Sequence, residues 1–158
     1  GKDKTLKILK AFIDNIGDEY QIIAISGKNE KMQIKFEELV GENPNVQVYG
    51  YTNEVPELMS ISDLVVTKPG GLTITESLAS GLPIVVINPI PGQEVENAEF
   101  LEKKGVAVWI RKTEDPDEAV KELLENPEQI KHMKIRSKLM AKKNSTRDIC
   151  RILMNDKT

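Results

Sequence analysis

Two kinds of hydrophobic pattern alternate along this chain. Stretches with apolar residues at helical spacing, such as Leu6, Leu9 and Ile13, alternate with short, almost continuous apolar runs, such as residues 20–25 and 83–87. The first pattern predicts amphipathic helices, and the second predicts buried parallel strands. Their alternation predicts an α/β fold in which helices cover both faces of a parallel sheet.

Turn residues place the boundaries of the predicted elements. Strands are predicted at residues 20–25, 46–49, 63–66, 83–87 and 106–109. Helices are predicted at residues 4–16, 29–40, 53–60, 72–80, 93–104 and 116–124, with one or two more after the Asn126-Pro127 break. Asn53 is expected to cap the third of these helices, and Gly81 is expected at the C′ position of the fourth.

The stretch from Val65 to Glu76 organises the rest of the chain. A strand leads into Lys68-Pro69-Gly70-Gly71, and a helix follows from Leu72 or Thr73. This order places free backbone N–H groups and the positive end of a helix dipole at the carboxyl end of a strand, where anions and nucleotides bind in open α/β sheets. The glycines could equally serve only the tight turn, so both interpretations are open at this point.

Three side chains on the same helix have two interpretations each. Thr73 and Thr75 lie in its first turns, where a hydroxyl can cap the helix or reach a phosphate oxygen. Glu76 is expected within a turn of the N-terminus, where a carboxylate either interacts favourably with the dipole or accepts hydrogen bonds from ribose hydroxyls.

A second polar cluster opens the next helix. Gln93, Glu94 and Asn97 follow the strand at residues 83–87, and their amide and carboxylate groups suit the hydroxyls of a sugar. The alternative is an ordinary solvated first turn.

Two earlier loops also follow strands. Gly27 permits close backbone approach, and Lys28 could meet a phosphate or simply be exposed. Gly50 and Tyr51 could present backbone groups and an apolar face to a base, or Tyr51 could be a packed loop aromatic.

Composition narrows the class of protein. The formal charge of −3 gives no electrostatic argument for a nucleic-acid partner, and neither a signal peptide nor a membrane span is visible. The single cysteine, Cys150, excludes an internal disulfide framework and suits a reducing compartment, so we expect a cytoplasmic protein. Cys150 is predicted to be a small core residue, and His132 a surface residue.

Other candidate chemistry is sparse. No residues have metal-ligand spacing, and no Ser/His/Asp set can be assembled. Residues 131–147 contain seven Lys or Arg and no Asp or Glu, which indicates a solvated helix face or a contact with anionic lipid. The chain starts at Gly1 without a methionine, so we expect it to be part of a longer protein.

The motifs resemble a known family. The residues Thr67-Lys68-Pro69-Gly70-Gly71-Leu72-Thr73-x-x-Glu76, Gly81-x-Pro83 and Pro91-Gly92-Gln93-Glu94-x-Glu96-Asn97-Ala98 closely resemble the C-terminal domain of the diacylglycerol glycosyltransferases of family 28. This family includes monogalactosyldiacylglycerol synthase and the processive diacylglycerol glucosyltransferases. A more distant likeness is to the enzyme that adds N-acetylglucosamine to lipid I. The likeness covers most of the chain up to about Trp109.

The resemblance implies a fold and a ligand. The fold would be a Rossmann-like, doubly wound parallel sheet, the C-terminal half of a GT-B fold, and residues 1–158 would form a single UDP-sugar-binding domain. Gly70, Gly71, Leu72 and Thr73 would hold the diphosphate near Lys68. Glu76 would take the ribose hydroxyls, Gln93, Glu94 and Asn97 would face the donor sugar, Gly50 and Tyr51 would lie by the uracil, and Gly27 and Lys28 would complete the site.

The resemblance also implies a reaction. An inverting hexosyl transfer to a lipid acceptor would need no bound metal and no cofactor, with the UDP-sugar as substrate. The acceptor-binding domain that supplies the general base, and the first strand of the donor domain, are expected outside this chain, so the chain alone should not transfer a sugar. The intact enzyme would act peripherally at the inner face of a membrane.

Two alternatives belong to other functional classes. One is a UDP-sugar epimerase of the same overall fold, against which the Pro69-Gly70-Gly71 and Gln93-Glu94 motifs argue. The other is a non-catalytic module that binds nucleotide sugars, and titration with UDP is the simplest test of nucleotide binding.

Overall fold

The computed structural model describes residues 2–143, with side chains described for residues 4–142. Helices and strands follow one another in the order α1 (Lys2–Asn15), β1 (Ile22–Ile25), α2 (Glu30–Val40), β2 (Val46–Tyr49), α3 (Val55–Ser60), β3 (Val65–Thr67), α4 (Gly71–Ala79), β4 (Ile84–Val86), α5 (Gln93–Lys103), β5 (Ala107–Trp109), α6 (Pro116–Leu124) and α7 (Pro127–Lys143).

The chain divides into two compact units. The first contains the residues up to Glu54 together with Pro116–Lys121, and the second contains Val55–Asp115 together with the residues from Glu122 on. The first unit holds a two-stranded sheet, β1-β2, and the second holds a three-stranded sheet in the order β3-β4-β5. Every strand pair is parallel.

The first unit packs α1 and α2 against its two strands. Ile22 of β1 pairs with Val46 of β2 at the start of the register. The core contains Leu9, Ala24, Met32 and Phe36, so the apolar positions of α1 and α2 meet the buried face of β1. The side chain of Asn29 caps α2, because its Oδ1 accepts the Met32 N–H at 3.0 Å.

The second unit is built around β4. β4 pairs with β3 at one edge and with β5 at the other, and Ile84, Val85 and Val86 are at most 1% exposed. Because successive side chains of a strand point to opposite faces, the burial of all three shows that both faces of β4 are covered, which explains its continuous apolar sequence. Ile74 of α4 and Leu101 of α5 are also fully buried in this core. The core therefore fixes α4 and α5 at the carboxyl ends of β3 and β4.

Helices α4 and α5 end in the same way. Gly81 (φ +68°) follows α4 and Gly105 (φ +75°) follows α5 in the left-handed region. Leu82 N–H donates to Ser77 O at 2.9 Å and Gly81 N–H donates to Leu78 O at 3.1 Å, which is the Schellman pattern.

Helix α7 covers both of these helix ends. Its Lys138 side chain packs across Gly81, and the Arg136 guanidinium donates to the Gly105 carbonyl at 3.3 Å. Basic groups at helix C-termini complement the negative end of the dipole. Two residues of the basic run 131–147 therefore have a structural role, a role that was not among the two predicted for this run.

Side chains close the outer edge of β5. Trp109 N–H donates to Glu102 Oε2 at 3.2 Å, and Trp109 O accepts from Arg111 Nη1 at 3.0 Å. Arg111 Nη2 also lies 3.1 Å from Glu102 Oε1, and the guanidinium stacks 3.7 Å from the Trp109 ring centroid. The N–H and carbonyl groups of Trp109 are therefore engaged by side chains, which makes this end of the edge strand less able to pair with another chain.

The structure confirms most of the predicted elements. The α/β class is confirmed, and the five predicted strands and their parallel direction are found, divided between the two sheets. The predicted cap at Asn53 is wrong: α3 begins at Val55, and Thr52 Oγ1 accepts the N–H of Glu54 at 3.0 Å. Helix α4 begins at Gly71, one residue earlier than expected.

Further predictions concern single residues and membrane spans. His132 is exposed as predicted, and its Nε2 atom lies 3.8 Å from Oε2 of Glu128. Cys150 lies outside the described residues, as does the end of the basic run. Between residues 2 and 143, none of the helices has the length and apolar character needed to span a membrane.

We expect Gly81→Ala to destabilise the second unit in two separable ways. The left-handed conformation costs an alanine about 1–2 kcal/mol, and the new Cβ would lie 2.7 Å from Lys138 Cε. The free energy of unfolding, measured in urea, should therefore fall by more than the backbone cost in the wild-type background. In a Lys138→Ala background the excess should disappear. Equal losses in both backgrounds would show that Lys138 does not pack on Gly81.

Candidate functional site

The connection between β3 and α4 uses its carbonyl groups internally. The Lys68 carbonyl accepts the Gly70 N–H at 2.8 Å and the Thr67 hydroxyl at 2.9 Å. The Pro69 carbonyl accepts the side-chain amide of Asn97 at 3.1 Å. The oxygen atoms of the turn are therefore engaged with protein donors.

The same holds at the start of α4. The Gly70 carbonyl accepts the Ile74 N–H at 2.9 Å, and the Gly71 carbonyl accepts the Thr75 hydroxyl at 3.0 Å. The Thr75 hydroxyl proton is thus used within the helix, which favours neither of the two roles predicted for it. From Lys68 to Gly71, each carbonyl oxygen has a donor within the protein.

The N–H groups at the start of α4 are placed differently. Gly70 occupies the N-cap position and makes no side-chain capping bond. An α-helix has no internal acceptors for its first N–H groups, which here include those of Leu72 and Thr73. The Leu72 side chain is 70% exposed, so this helix end lies at the surface. The surface therefore meets N–H donors and the positive end of a helix dipole.

Comparison of the first turns distinguishes α4 from the other helices that follow strands. The first turns of α2, α3, α5 and α6 contain at least one carboxylate each, from Glu30, Glu57, Glu94 with Glu96, and Asp117 with Glu118. Among these described helices, α4 alone has none. A carboxylate in a first turn satisfies the dipole and repels a second anion. An external anion is therefore best accommodated at α4.

Glu76 lies in the second turn of α4, half-buried. Because each residue rises 1.5 Å along a helix, residues 71 and 76 are separated by about 7.5 Å along the axis. Within the described residues the Glu76 carboxylate makes no hydrogen bond or ion pair. It is therefore free to accept hydrogen bonds from a ligand that also reaches the helix N-terminus. Lys68 is exposed beside this end, and Thr73 is half-buried.

The polar cluster of α5 is tied to the same turn. Asn97 is only 2% exposed. Its Oδ1 accepts from Gln93 Nε2 at 3.1 Å, while its Nδ2 donates to the Pro69 carbonyl. Asn97 is therefore not part of a solvated first turn. The structure brings Gln93, Asn97 and Pro69 together in one hydrogen-bonded chain.

Glu94 holds the loop before α5. Its Oε1 accepts the Ile90 N–H at 2.9 Å, within a loop where Asn88 has a φ of +43°. Sequence reasoning assigned Glu94 to sugar binding and missed this contact with the loop. The sugar-binding roles of Gln93, Glu94 and Asn97 stay predictions.

In the first unit, two of the predicted residues lie together. The Lys28 ammonium stands 5.3 Å from the centroid of the Tyr51 ring. Tyr51 is 66% exposed, so it is not a packed loop aromatic. Gly27 has a φ of +66°, and among the described residues no atom beyond its two chain neighbours lies within 4 Å of the position of a Cβ there. The predicted contacts of these residues with a nucleotide stay predictions.

Gly50 lies against the side chain of Gln33. It is buried, and a Cβ at this position would overlap the side-chain amide of Gln33. Sequence reasoning missed Gln33, although its place in the first turn of α2, one residue after the buried Met32, was readable from the helical period. The Gln33 amide therefore shapes the loop that contains Gly50 and Tyr51.

Comparison with known proteins identifies a family and several relatives of this chain. Residues 2–149 match the glycosyltransferase family 28 C-terminal domain. A processive diacylglycerol beta-glucosyltransferase of Bacillus subtilis (strain 168) is 34% identical over 159 residues, which cover 99% of this chain and 42% of the relative. One of Bacillus pumilus (strain SAFR-032) is 37% identical over 135 residues, covering 85% of this chain and 35% of the relative. The chain thus spans well under half the length of these relatives.

Solved structures share the fold. The crystal structure of WaaG, a glycosyltransferase involved in lipopolysaccharide biosynthesis, matches with a TM-score of 0.69 at 18% identity, covering 98% of this chain and 41% of that one. A glycotransferase of kitacinnamycin matches with a TM-score of 0.62 at 23% identity, covering 84% and 35%. The fold is that of the Rossmann-like, C-terminal half of a GT-B glycosyltransferase.

Glu94→Ala should loosen the loop that precedes α5. The Ile90 N–H loses its acceptor, so its hydrogen exchange should become faster, and stability should fall by about 1 kcal/mol, as for the loss of one hydrogen bond. Glu96→Ala is the matched control, because Glu96 is an exposed carboxylate in the same first turn. Exchange at Ile90 measured by NMR should be unchanged in the control. The contact would be disproved by equal Ile90 exchange rates in both variants.

Proposed function

The chain belongs to glycosyltransferase family 28 and corresponds to the C-terminal domain of its members. We propose that it binds the nucleotide-sugar donor of a lipid glycosyltransferase. The donor in this proposal is a UDP-sugar. The intact enzyme would move a hexosyl group to a diacylglycerol-type lipid with inversion at the anomeric carbon.

The observation that carries this proposal is the start of α4. Its turn carbonyls all have internal donors, its N-cap makes no side-chain bond, and its first turn contains no carboxylate. A diphosphate needs N–H donors and positive potential and is repelled by nearby carbonyl and carboxylate oxygens. The N–H groups of Leu72 and Thr73 meet the first need, and the internal engagement of the oxygens meets the second.

Two further groups of the second unit fit parts of the donor. The Glu76 carboxylate, which has no partner among the described residues, accepts the ribose hydroxyls, since it lies farther along the helix that binds the diphosphate. Gln93 and Glu94 at the start of α5 contact the hydroxyls of the donor sugar, and Lys68 adds a positive charge beside the phosphates.

The chemistry in this proposal rests on stabilising the leaving group. An acceptor hydroxyl, deprotonated by a base in the other domain, attacks the anomeric carbon as its bond to the diphosphate oxygen breaks. The electron pair stays on that oxygen, and the new negative charge develops next to the N–H groups and dipole of α4. Fixed donors of this kind stabilise the charge without a metal ion or a cofactor.

The acceptor and the place of action belong to the larger protein. The relatives at 34–37% identity are named for glucosyl transfer to diacylglycerol, and this chain spans 35–42% of their length. We therefore assign the lipid acceptor, the base and the peripheral contact with the cytoplasmic face of the membrane to the remainder of such an enzyme. The chain alone binds the donor without transferring the sugar.

Calorimetric titration with UDP and with 2′-deoxy-UDP tests the donor site. The wild-type chain should prefer UDP by roughly tenfold or more, because a hydrogen bond to a carboxylate contributes about 1.5–3 kcal/mol. Glu76→Ala should weaken UDP binding by a similar factor and remove the preference between the two ligands.

Glu99→Ala serves as the control, since it removes an exposed carboxylate from α5. It should leave both affinities unchanged. A preference for UDP that survives in Glu76→Ala would reject the role of Glu76, and no binding of UDP at millimolar concentration would reject the donor site as a whole. The family assignment gives no support to the epimerase alternative.

A further inference from the structure

We propose that Asn97 is a positioning residue that shapes the anion-binding turn through Pro69, and that it does not contact the donor sugar. The inference rests on the proposed function, and it reassigns one of the residues predicted to face the sugar. Its starting point is the burial of Asn97, which is 2% exposed and has both ends of its amide engaged within the protein.

Asn97 holds one end of a peptide group whose other end is also held. The Pro69 carbonyl and the Gly70 N–H belong to the same planar peptide unit and point in opposite directions. The carbonyl accepts from Asn97 Nδ2 at 3.1 Å, and the N–H donates to the Lys68 carbonyl at 2.8 Å. Both ends of this peptide group are therefore fixed immediately before α4.

We call these two hydrogen bonds the clamp. Without the clamp the peptide group could rotate. Rotation would release the Gly70 N–H from Lys68 and turn the Pro69 oxygen away from α5. A carbonyl oxygen turned outward at the start of α4 would oppose a bound phosphate. Pro69 is itself fully buried, so its carbonyl would also lose its only protein donor in the described part of the chain.

Gln93 fixes the orientation of the Asn97 amide. Since Gln93 Nε2 donates to Asn97 Oδ1 at 3.1 Å, the amide oxygen faces Gln93 and the amide nitrogen faces Pro69. The order Gln93, Asn97, Pro69 thus connects a residue proposed to contact the sugar with the turn proposed to bind the diphosphate.

Titration with uridine, UDP and UDP-glucose distinguishes the possible roles of Asn97. In Asn97→Ala and Asn97→Asp, neither of which can donate to Pro69, the ratio of UDP affinity to uridine affinity should fall about tenfold, as for the loss of one charge-assisted hydrogen bond. Uridine affinity should stay at the wild-type value. A loss confined to UDP-glucose would mean that Asn97 contacts the sugar, and wild-type affinities in a destabilised variant would mean a merely structural role. Either result overturns the proposal.

Amide hydrogen exchange at Gly70 gives a readout that needs no ligand. Exchange should be faster in Asn97→Ala than in the wild type, because the clamped peptide group is released, while Glu96→Ala, which changes the exposed neighbour, should leave it unchanged. Unaltered Gly70 exchange in Asn97→Ala contradicts the clamp.

The experiments distinguish a failure of this inference from a failure of the proposed function. If the wild-type chain does not bind UDP, the proposed function is rejected. Hydrogen exchange at Gly70 still tests whether Asn97 holds the peptide group. If Asn97 variants do not fold, Gln93→Ala takes their place, because it removes the hydrogen bond that orients the Asn97 amide, and its proposed contact with the sugar does not affect UDP or uridine, which carry no donor sugar. That variant should also accelerate Gly70 exchange and lower the UDP-to-uridine ratio, and wild-type values for both would overturn the proposal.

Discussion

The peptide group between Pro69 and Gly70 is the constraint on which the candidate site depends. It is held from one side by Asn97 of α5 and from the other by the Lys68 carbonyl. Because this peptide immediately precedes α4, its orientation decides whether oxygens or N–H groups dominate the helix end. The buried strand β4 makes the arrangement possible, since its neighbour β3 leads into the turn and α5 follows from its own carboxyl end. The chemistry of the site is therefore set by hydrogen bonds made inside the protein.

The fold was largely predictable because its signals are local. The apolar run of β4, the glycine after α4 and the Asn126-Pro127 break each predicted an element or a boundary that the structure contains. Such signals depend on residues within one turn or one strand. The cap at Asn53 failed for the same reason: a capping residue type was present, but the helix begins two residues later.

The candidate site was predictable only in part. The positions of Gly70 and Glu76 follow from the strand, turn and helix order, and the absence of carboxylates from the first turn of α4 could have been read from the sequence. The contact between Asn97 and Pro69 joins residues 28 positions apart, and no spacing rule predicts it. The same is true of Arg136, whose contact with Gly105 spans 31 positions and turns part of a basic run into a helix-end contact. Sequence patterns indicated which residues are polar, and tertiary packing decided the partners of these two.

The central claim is that the first turn of α4 binds a diphosphate, and amide chemical shifts test it most directly. In a titration of the labelled chain followed by NMR, UDP should shift the N–H resonances of Leu72 and Thr73, because these groups donate to the phosphates. Uridine at the same concentration should leave both resonances in place. Shifts of equal size with uridine and UDP, or no shift at either residue with UDP, would contradict the account.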